Sequence, residues 1–242
     1  MRMTIKKLKK GSHVTIVALG DSITQNSIHN RGHMNWVSLL DEAIKETYGN
    51  ETCCVINSGI GGSNFSSAFQ RLERDVLRLN PDLVILALGM NDASKGIAYL
   101  PQFKKEVLDM IEKIRRVCGS EILVRTPNPI VAETAKTCTT AAPGEVFEDK
   151  NRPLAEYSKA LQEVARESNC QIVDHYSLWV NAGSAIAQTP PSKFYEKSAY
   201  QGRLWPRMAN STHPGPLGQL VFYQELAPLF ELPTFFPWEN AR

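Results

Sequence analysis

A short apolar stretch near the start of the chain, Val14–Leu19, is the feature that most limits how this protein can fold. It is rich in β-branched residues and apolar on both faces, which is typical of a strand at the centre of a parallel sheet. The stretch ends at Gly20, and Asp21 and Ser22 follow. Open α/β sheets carry their chemistry at the carboxyl ends of the strands, so Ser22 is a candidate nucleophile. A serine at this place is also a common turn residue or helix cap, and that alternative stays open on this stretch alone.

The rest of the chain alternates strands with amphipathic helices. Further strands are predicted at 52–57, 82–88, 121–126 and 170–174, and helices at about 35–48, 65–79, 101–114, 154–164 and 216–229. This alternation favours right-handed crossovers and a parallel sheet covered on both faces. We therefore predict one α/β domain over 1–242, a three-layer α/β/α arrangement whose five-stranded parallel sheet has the flavodoxin-like order 2-1-3-4-5. Two long stretches, 126–150 and 175–212, lack a clear period and are expected to be irregular loops beyond the carboxyl ends of strands.

The predicted order places the carboxyl ends of the first three strands next to one another. Ser22 follows the first strand, the glycine-rich segment Gly59–Gly62 the second, and Asn91 the third. These residues are therefore expected to share one crevice.

Charge and cysteine content limit the partners and the compartment. The formal net charge is +2, but five basic residues lie within the first ten positions, and the remainder of the chain has 22 basic against 25 acidic residues. This balance argues against nucleic acid, and positions 1–12 are expected to form a basic, solvated tail. No stretch is long and apolar enough to span a bilayer, so no membrane association is expected. Five scattered cysteines, an odd number, indicate reduced thiols and a cytoplasmic protein.

The remaining features concern metals, cofactors and the chain end. His29 and His33 would flank the crevice, but no carboxylate or cysteine stands at ligand spacing, so neither a metal nor a cofactor is predicted. The C-terminal extension 230–242 is apolar and could cover the protein's own core or a partner's surface. The oligomeric state does not follow from the sequence.

Four short motifs, taken together, resemble the SGNH (GDSL-like) hydrolase family. They are Gly20-Asp21-Ser22, the segment from Asn57 to Gly62, Gly89-Met90-Asn91-Asp92, and a last block ending in His213-Pro214. The resemblance extends from about 14 to 226 and implies Ser22 as nucleophile and His213 as general base. It also implies an oxyanion hole formed by the backbone N–H groups of Ser22 and Gly62 and the side-chain amide of Asn91. The alternatives are that Gly62 only permits a turn and that Asn91 only caps the next segment.

One position departs from the family pattern. The family has a carboxylate three residues before the histidine, whereas this chain has Asn210, which can accept a hydrogen bond from the imidazole but carries no charge. Three hypotheses follow. Ser22 and His213 act as a dyad oriented by Asn210 or a backbone carbonyl; another acid, with Asp174 as the candidate, reaches the histidine; or the site binds ligands without efficient catalysis.

The resemblance implies a small-molecule ester as substrate, and the second irregular stretch is the candidate for recognising it. It interleaves aromatic and basic residues, which suits a polar, ring-shaped substrate better than a long acyl chain; alternatively, these aromatics only pack the loop onto the body. The candidate binding residues are Trp179, Tyr200, Arg203 and Trp205. We expect a short-acyl, in particular acetyl, carbohydrate esterase, with a lysophospholipase or thioesterase as the alternative.

Overall fold

Five parallel strands form a single sheet at the centre of the protein. The computed structural model describes residues 1–25, 28–30, 32–49, 51–130, 148–186 and 212–234. The strand order is β2-β1-β3-β4-β5, which confirms the order predicted from the sequence. The strands are β1 (Val14–Gly20), β2 (Cys53–Gly59), β3 (Leu83–Ala87), β4 (Glu121–Arg125) and β5 (Gln171–Val173).

Helices cover both faces of this sheet. Helix α2 packs against α8 on one face, while α3, α5 and α6 pack together on the other. The helices are α1 (Arg2–Lys9), α2 (Trp36–Tyr48), α3 (Phe65–Gln70), α4 (Leu72–Asp75), α5 (Leu100–Cys118), α6 (Glu148–Glu167), α7 (His175–Ile186) and α8 (Pro216–Leu226). Short 3-10 turns occupy Ile28–Asn30, Leu77–Leu79, Asp92–Lys95, Ile97–Tyr99 and Ala227–Phe230. The result is the predicted three-layer α/β/α arrangement.

The register of the sheet aligns three strand ends. Gly20, the last residue of β1, pairs with Gly59 of β2 on one side and with Ala87 of β3 on the other. All five residues of β3 are buried, as expected for an interior strand of a parallel sheet. The segments that follow β1, β2 and β3 therefore leave the sheet side by side.

Local sequence signals account for where α2 and α3 begin. The side chain of Asn35 accepts a hydrogen bond from the Ser38 N–H at 3.0 Å, which caps the start of α2. Asn64 and Ser67 form a reciprocal capping box at the start of α3. Each cap satisfies backbone donors that the first helical turn leaves unpaired.

The basic N-terminal segment 1–12 is not the solvated tail that its charge indicated. Residues 2–9 form α1, whose Thr4 and Leu8 are buried. The Thr4 N–H donates to a carboxylate oxygen of Glu121 at 2.8 Å, and its hydroxyl donates to the same oxygen at 2.7 Å. The positive charges occupy the outer face of a helix docked on the body, a placement that composition alone does not reveal.

Two other segments differ from the sequence prediction. The helix expected over 65–79 breaks at Arg71 into α3, α4 and a 3-10 turn. The first part of the stretch 175–212, expected to be irregular, forms α7. Residues 131–147 and 187–211, which include most of both predicted loops, lie outside the described part of the chain.

The start of the C-terminal extension packs on the protein itself. Phe230 is fully buried, and its carbonyl accepts a hydrogen bond from the Tyr48 hydroxyl at 2.8 Å. The Pro233 carbonyl accepts one from Tyr223 at 2.9 Å. Within the described ranges, no helix has the length and apolar character needed to cross a bilayer.

Candidate active site

Ser22 and His213 meet at the carboxyl edge of the sheet. Ser22 lies in the turn after β1, and His213 lies three residues before α8. The Oγ atom of Ser22 and the Nε2 atom of His213 are 2.9 Å apart, and both residues are half-buried. A hydroxyl within hydrogen-bond reach of an imidazole is the arrangement that nucleophilic catalysis by serine requires.

The turn that carries Ser22 is tight because the chain folds back over its own strand. The N–H groups of Thr24 and Gln25 donate to the Asp21 carbonyl at 3.2 and 2.9 Å. A Cβ atom on Gly20 would lie 2.1 Å from the Thr24 hydroxyl oxygen, so only glycine fits at the end of β1. The glycine that the sequence marked as a turn signal is thus required here for close approach.

The glycine-rich segment after β2 lies directly against this turn. The Ile60 N–H donates to the Gly20 carbonyl at 3.1 Å, and the Gly61 N–H donates to the Gln25 side-chain oxygen at 2.9 Å. Gly62 has φ +75°, a conformation that favours glycine, and the space beside its Cα is open. These contacts hold the Gly62 backbone beside the nucleophile turn.

The segment after β3 supports the same loop. The Asn91 side-chain amide donates to the Ser63 carbonyl at 2.9 Å, and a carboxylate oxygen of Asp92 accepts from the Phe65 N–H at 3.1 Å. Within the described ranges, the N–H groups of Ser22 and Gly62 have no hydrogen-bond acceptor. Two backbone donors without an acceptor among the described residues and a side-chain amide therefore lie on the segments that follow β1, β2 and β3. An oxyanion hole needs donors of this kind.

Arg71 forms hydrogen bonds to the ends of β1 and β2 and to Ser63, just after the glycine-rich segment. Its guanidinium donates to the Ser58 and Gly20 carbonyls, both at 2.9 Å, and to the Ser63 hydroxyl at 3.3 Å. It also pairs with Asp75. Arg71 stands at the break between α3 and α4, and the break lets its side chain reach the ends of β1 and β2.

A buried aspartate precedes Ser22, and a buried arginine ends β4. Asp21 and Arg125 are each 2% exposed. Burial raises the pKa of Asp21 to about 6, against the effect of the Ile23 N–H, which donates to it at 2.9 Å, and of the Arg125 charge. Burial lowers the pKa of Arg125 to about 10, and its guanidinium lies 4.0 Å from the centre of the Phe222 ring on α8. Arg125 thus acts on Asp21 through its charge and packs against α8, the helix that follows His213.

Two buried amides fix the segment that carries His213. Gln219 of α8 accepts from the Trp36 N–H at 3.1 Å and donates to the Ile23 carbonyl at 3.3 Å. The Asn128 amide donates to the Thr212 carbonyl at 3.1 Å. Helix α8 is thereby anchored to the start of α2 and to the nucleophile turn.

His213 also has an aromatic neighbour. The ring of His29 stacks on it with centroids 4.1 Å apart and an interplanar angle of 12°. Burial lowers the pKa of His213, and the nearby His29 lowers it further. A base whose pKa is lowered stays neutral, and able to accept a proton, at more acidic pH.

The position of the candidate acids bears on the three hypotheses for His213. Asn210 lies outside the described residues. One carboxylate oxygen of Asp174 accepts from the Thr126 hydroxyl at 2.9 Å and the Ser177 N–H at 3.2 Å, and the other accepts from Gln162 at 2.9 Å. Asp174 thus caps α7 at the end of β5, three strand spacings or about 14 Å from β1.

Of the four predicted substrate-binding residues, the structure describes only Trp179. Trp179 is fully buried, stacks on Phe222 with centroids 4.7 Å apart and donates to Glu225 at 3.1 Å. It lies in the core and not in the crevice, because α7 turns this face towards α8. Tyr200, Arg203 and Trp205 lie outside the described residues. In the part of the chain that the structure describes, no group of three or more His, Cys, Asp or Glu side chains could hold a metal ion.

Sequence reasoning missed several residues that shape the site. Arg125 had a visible signal, since it is a charged residue that directly follows the apolar residues 122–124 of β4. Arg71, Asn128 and Gln219 had none, because their partners are distant in the sequence.

Comparison with known proteins identifies the family. The model of the GDSL-like Lipase/Acylhydrolase family matches residues 18–221, most of the chain. The chain belongs to this family. As a GDSL-like acylhydrolase it is a carboxylic ester hydrolase, and the matched region includes both Ser22 and His213.

Relatives of this GDSL-like hydrolase include proteins named as esterases or esterase homologues. The isoamyl acetate-hydrolyzing esterase 1 homolog of Rattus norvegicus is 26% identical over 93% of this chain and 87% of its own length. The acetylxylan esterase of Geobacillus stearothermophilus is 24% identical over 97% of this chain and all of its own length. The crystal structure of Axe2, an acetylxylan esterase from that organism, superposes with a TM-score of 0.67 at 17% identity, covering 94% of this chain and 99% of that one. This likeness shows the common fold. Structures of catalytic mutants of Axe2 replace a serine, an aspartate and a histidine, the aspartate standing three positions before the histidine.

Proposed function

We propose that this GDSL-like hydrolase cleaves acetyl and other short-acyl esters, in particular those of carbohydrates, through an acyl-enzyme on Ser22. The observation that carries the proposal is the 2.9 Å contact between Ser22 Oγ and His213 Nε2. The N–H groups of Ser22 and Gly62, which have no acceptor among the described residues, add to it. The preference for acetyl esters rests on the relatives, which include an isoamyl acetate-hydrolysing esterase homologue and an acetylxylan esterase.

The proposed reaction has two halves. In the first, Ser22 Oγ attacks the ester carbonyl carbon while its proton passes to His213 Nε2. The tetrahedral intermediate collapses, the C–O bond to the alcohol breaks, and the protonated imidazole returns the proton to the leaving oxygen. In the second, water attacks the acyl-enzyme with the same histidine as base, which releases the carboxylic acid and restores Ser22.

The negative charge of each tetrahedral intermediate needs donors already in place. The N–H groups of Ser22 and Gly62 and the second N–H of the Asn91 amide are the proposed donors. Since Asn91 is held through its bond to Ser63, its amide pays little ordering cost at the moment of reaction. We expect Asn91→Ala to lower kcat by about 100-fold or more with little change in KM, because this contact strengthens in the transition state. A change confined to KM would instead assign Asn91 to substrate binding.

Asn210 is the specific observation in favour of a second candidate, a catalytically weak binding module. The proposal treats Ser22 and His213 as a dyad, because both oxygens of Asp174 are already hydrogen-bonded to residues around α7. A dyad lacks the charge that stabilises the imidazolium, so slower turnover than that of a full triad is expected.

The deciding experiment compares wild type, Ser22→Ala and Ser66→Ala. Ser66 on α3 is a suitable control, since its side chain makes no hydrogen bond to the described residues. Hydrolysis of p-nitrophenyl acetate, butyrate and octanoate and of acetylated xylo-oligosaccharides is measured. We expect turnover to decrease with acyl length and to disappear only in Ser22→Ala, and a serine-directed phosphonate to add its mass to the Ser22 peptide. Absence of turnover in wild type would favour the binding module, and preference for octanoate would favour the lysophospholipase or thioesterase alternative.

A further inference from the structure

A second histidine covers one face of the proposed catalytic base. His29 lies in the 3-10 turn Ile28–Asn30, which packs against α8, whereas His213 precedes that helix. Their rings are nearly parallel at 12°, with centroids 4.1 Å apart. The two residues are far apart in the sequence, so the stack forms only because the 3-10 turn that carries His29 packs against α8.

We propose that His29 is a positioning residue of the Ser22–His213 pair, which holds the His213 ring in line with Ser22 and, when it carries a proton, opposes protonation of that ring. The inference rests on the proposed function, since it treats His213 as the base.

The stack limits how the His213 ring can turn. A parallel ring at van der Waals separation occupies one face of the imidazole, and such contacts have a preferred geometry. The 2.9 Å contact with Ser22 Oγ sets the direction of Nε2. Asn210 brings no charge to the position where the family has a carboxylate, so a stacking partner supplies orientation that does not depend on that charge.

The charges around the stack support the second part of the proposal. Burial lowers the pKa of His213, and the charge of His29 acts in the same direction. Other charged groups also lie on the surrounding elements. Asp21 interacts with the charge of Arg125, and the Glu225 carboxylate of α8 contacts His175 and accepts a hydrogen bond from Trp179. Among the described residues, His29 is therefore the group whose charge opposes a proton on His213. A neutral His213 at acidic pH keeps the proposed dyad active there.

Three substitutions at position 29 separate stacking from charge. His29→Phe keeps a ring without a charge, His29→Arg keeps a planar cation that can stack, and His29→Ala keeps neither. His33→Phe is the matched control, because His33 is exposed in the same segment. The measurement is kcat/KM for p-nitrophenyl acetate between pH 4.5 and 9, with circular dichroism and thermal unfolding to verify folding.

We expect His29→Phe, whose ring carries no charge, to shift the acid limb of the kcat/KM profile to higher pH. The ratio of kcat/KM at pH 5 to that at pH 8 should fall by about threefold or more in His29→Phe. It should stay at or above the wild-type ratio in His29→Arg and be unchanged in His33→Phe. At pH 8, His29→Phe should remain near wild type, whereas His29→Ala should lose about 2- to 10-fold because its stack is gone.

An NMR titration of the imidazole nitrogens of His213 gives a readout that does not require turnover. The midpoint should be higher in His29→Phe than in wild type, whether or not any ester is hydrolysed. Equal midpoints and superimposable pH profiles in the two proteins would overturn the inference. Absence of turnover in wild type, together with a higher His213 midpoint in His29→Phe, would contradict the proposed function, whereas the effect of His29 on the protonation of His213 would stand.

Discussion

Replacing Asp92 by asparagine should change the pH dependence of stability in a direction that the structure specifies. Asp92 is fully buried in the segment after β3, and burial raises its pKa to about 6 from an ordinary value of 3.8. The difference corresponds to about 3 kcal/mol at 1.36 kcal/mol per pKa unit. The carboxyl holds its proton more tightly in the folded than in the unfolded protein, so its contribution to stability falls as pH rises from about 4 to about 6.

Asparagine removes this titration and keeps the acceptor for the Phe65 N–H. The asparagine NH2 group takes the place of a carboxylate oxygen that has no hydrogen-bond partner among the described residues. Burying this donor without an acceptor lowers the free energy of unfolding by about 1–3 kcal/mol at every pH. The quantity to measure is therefore the free energy of unfolding of Asp92→Asn minus that of wild type, at pH 4 and at pH 7. This difference should rise by about 2 to 3 kcal/mol between the two pH values.

Urea unfolding followed by tryptophan fluorescence is the assay, since Trp36 and Trp179 are fully buried. Asp75→Asn is the control, because the pKa of Asp75 is shifted in the opposite direction to that of Asp92. Burial opposes the charge of Asp75, but hydrogen bonds from Arg74 and Arg71 outweigh it and hold its pKa below the ordinary value. Asp75→Asn should therefore be more destabilising at pH 7 than at low pH. A difference for Asp92→Asn that does not change between pH 4 and pH 7 would refute the argument from burial.

Three further predictions test the supports of the site. Arg71→Met should lower the free energy of unfolding by about 1–3 kcal/mol and reduce kcat/KM, because it removes one of the two arginine partners of Asp75 and the guanidinium hydrogen bonds to the Ser58 and Gly20 carbonyls. Arg74→Met, at an exposed position, should lower it less, and equal losses in urea unfolding would contradict this. Asn210→Asp should raise kcat/KM for an activated ester and raise the pKa of His213, since a nearby negative charge favours the imidazolium; an unchanged pH–rate profile would argue against the dyad. Asp174→Asn should leave kcat/KM within about twofold, and loss of activity would place Asp174 in the catalytic group instead.

Much of the fold follows from short-range patterns. Apolar runs bounded by glycine and polar residues predict the strands, and their alternation with amphipathic helices predicts the parallel sheet and its order. The start of α2 follows from Asn35 and its end from Gly49, because capping involves only neighbours in the chain. These signals are local, so they can be detected before any tertiary contact is known. The same patterns brought Ser22, Gly62, Asn91 and His213 forward as one candidate site, through a family resemblance whose motifs lie at strand ends.

Only the tertiary structure decided which side chains support that site and how its base is held. The break in the predicted helix 65–79 occurs where Arg71 reaches the ends of β1 and β2, and periodicity cannot register a hydrogen bond across 51 positions. Trp179 looked like a substrate contact among other aromatics, yet α7 buries it against α8. The charged segment 1–12 docks as a helix because Glu121 meets its first turn. The stacking of His29 on His213 likewise depends on two distant segments meeting, and the free energy of such contacts belongs to the folded arrangement, which no local sequence pattern contains.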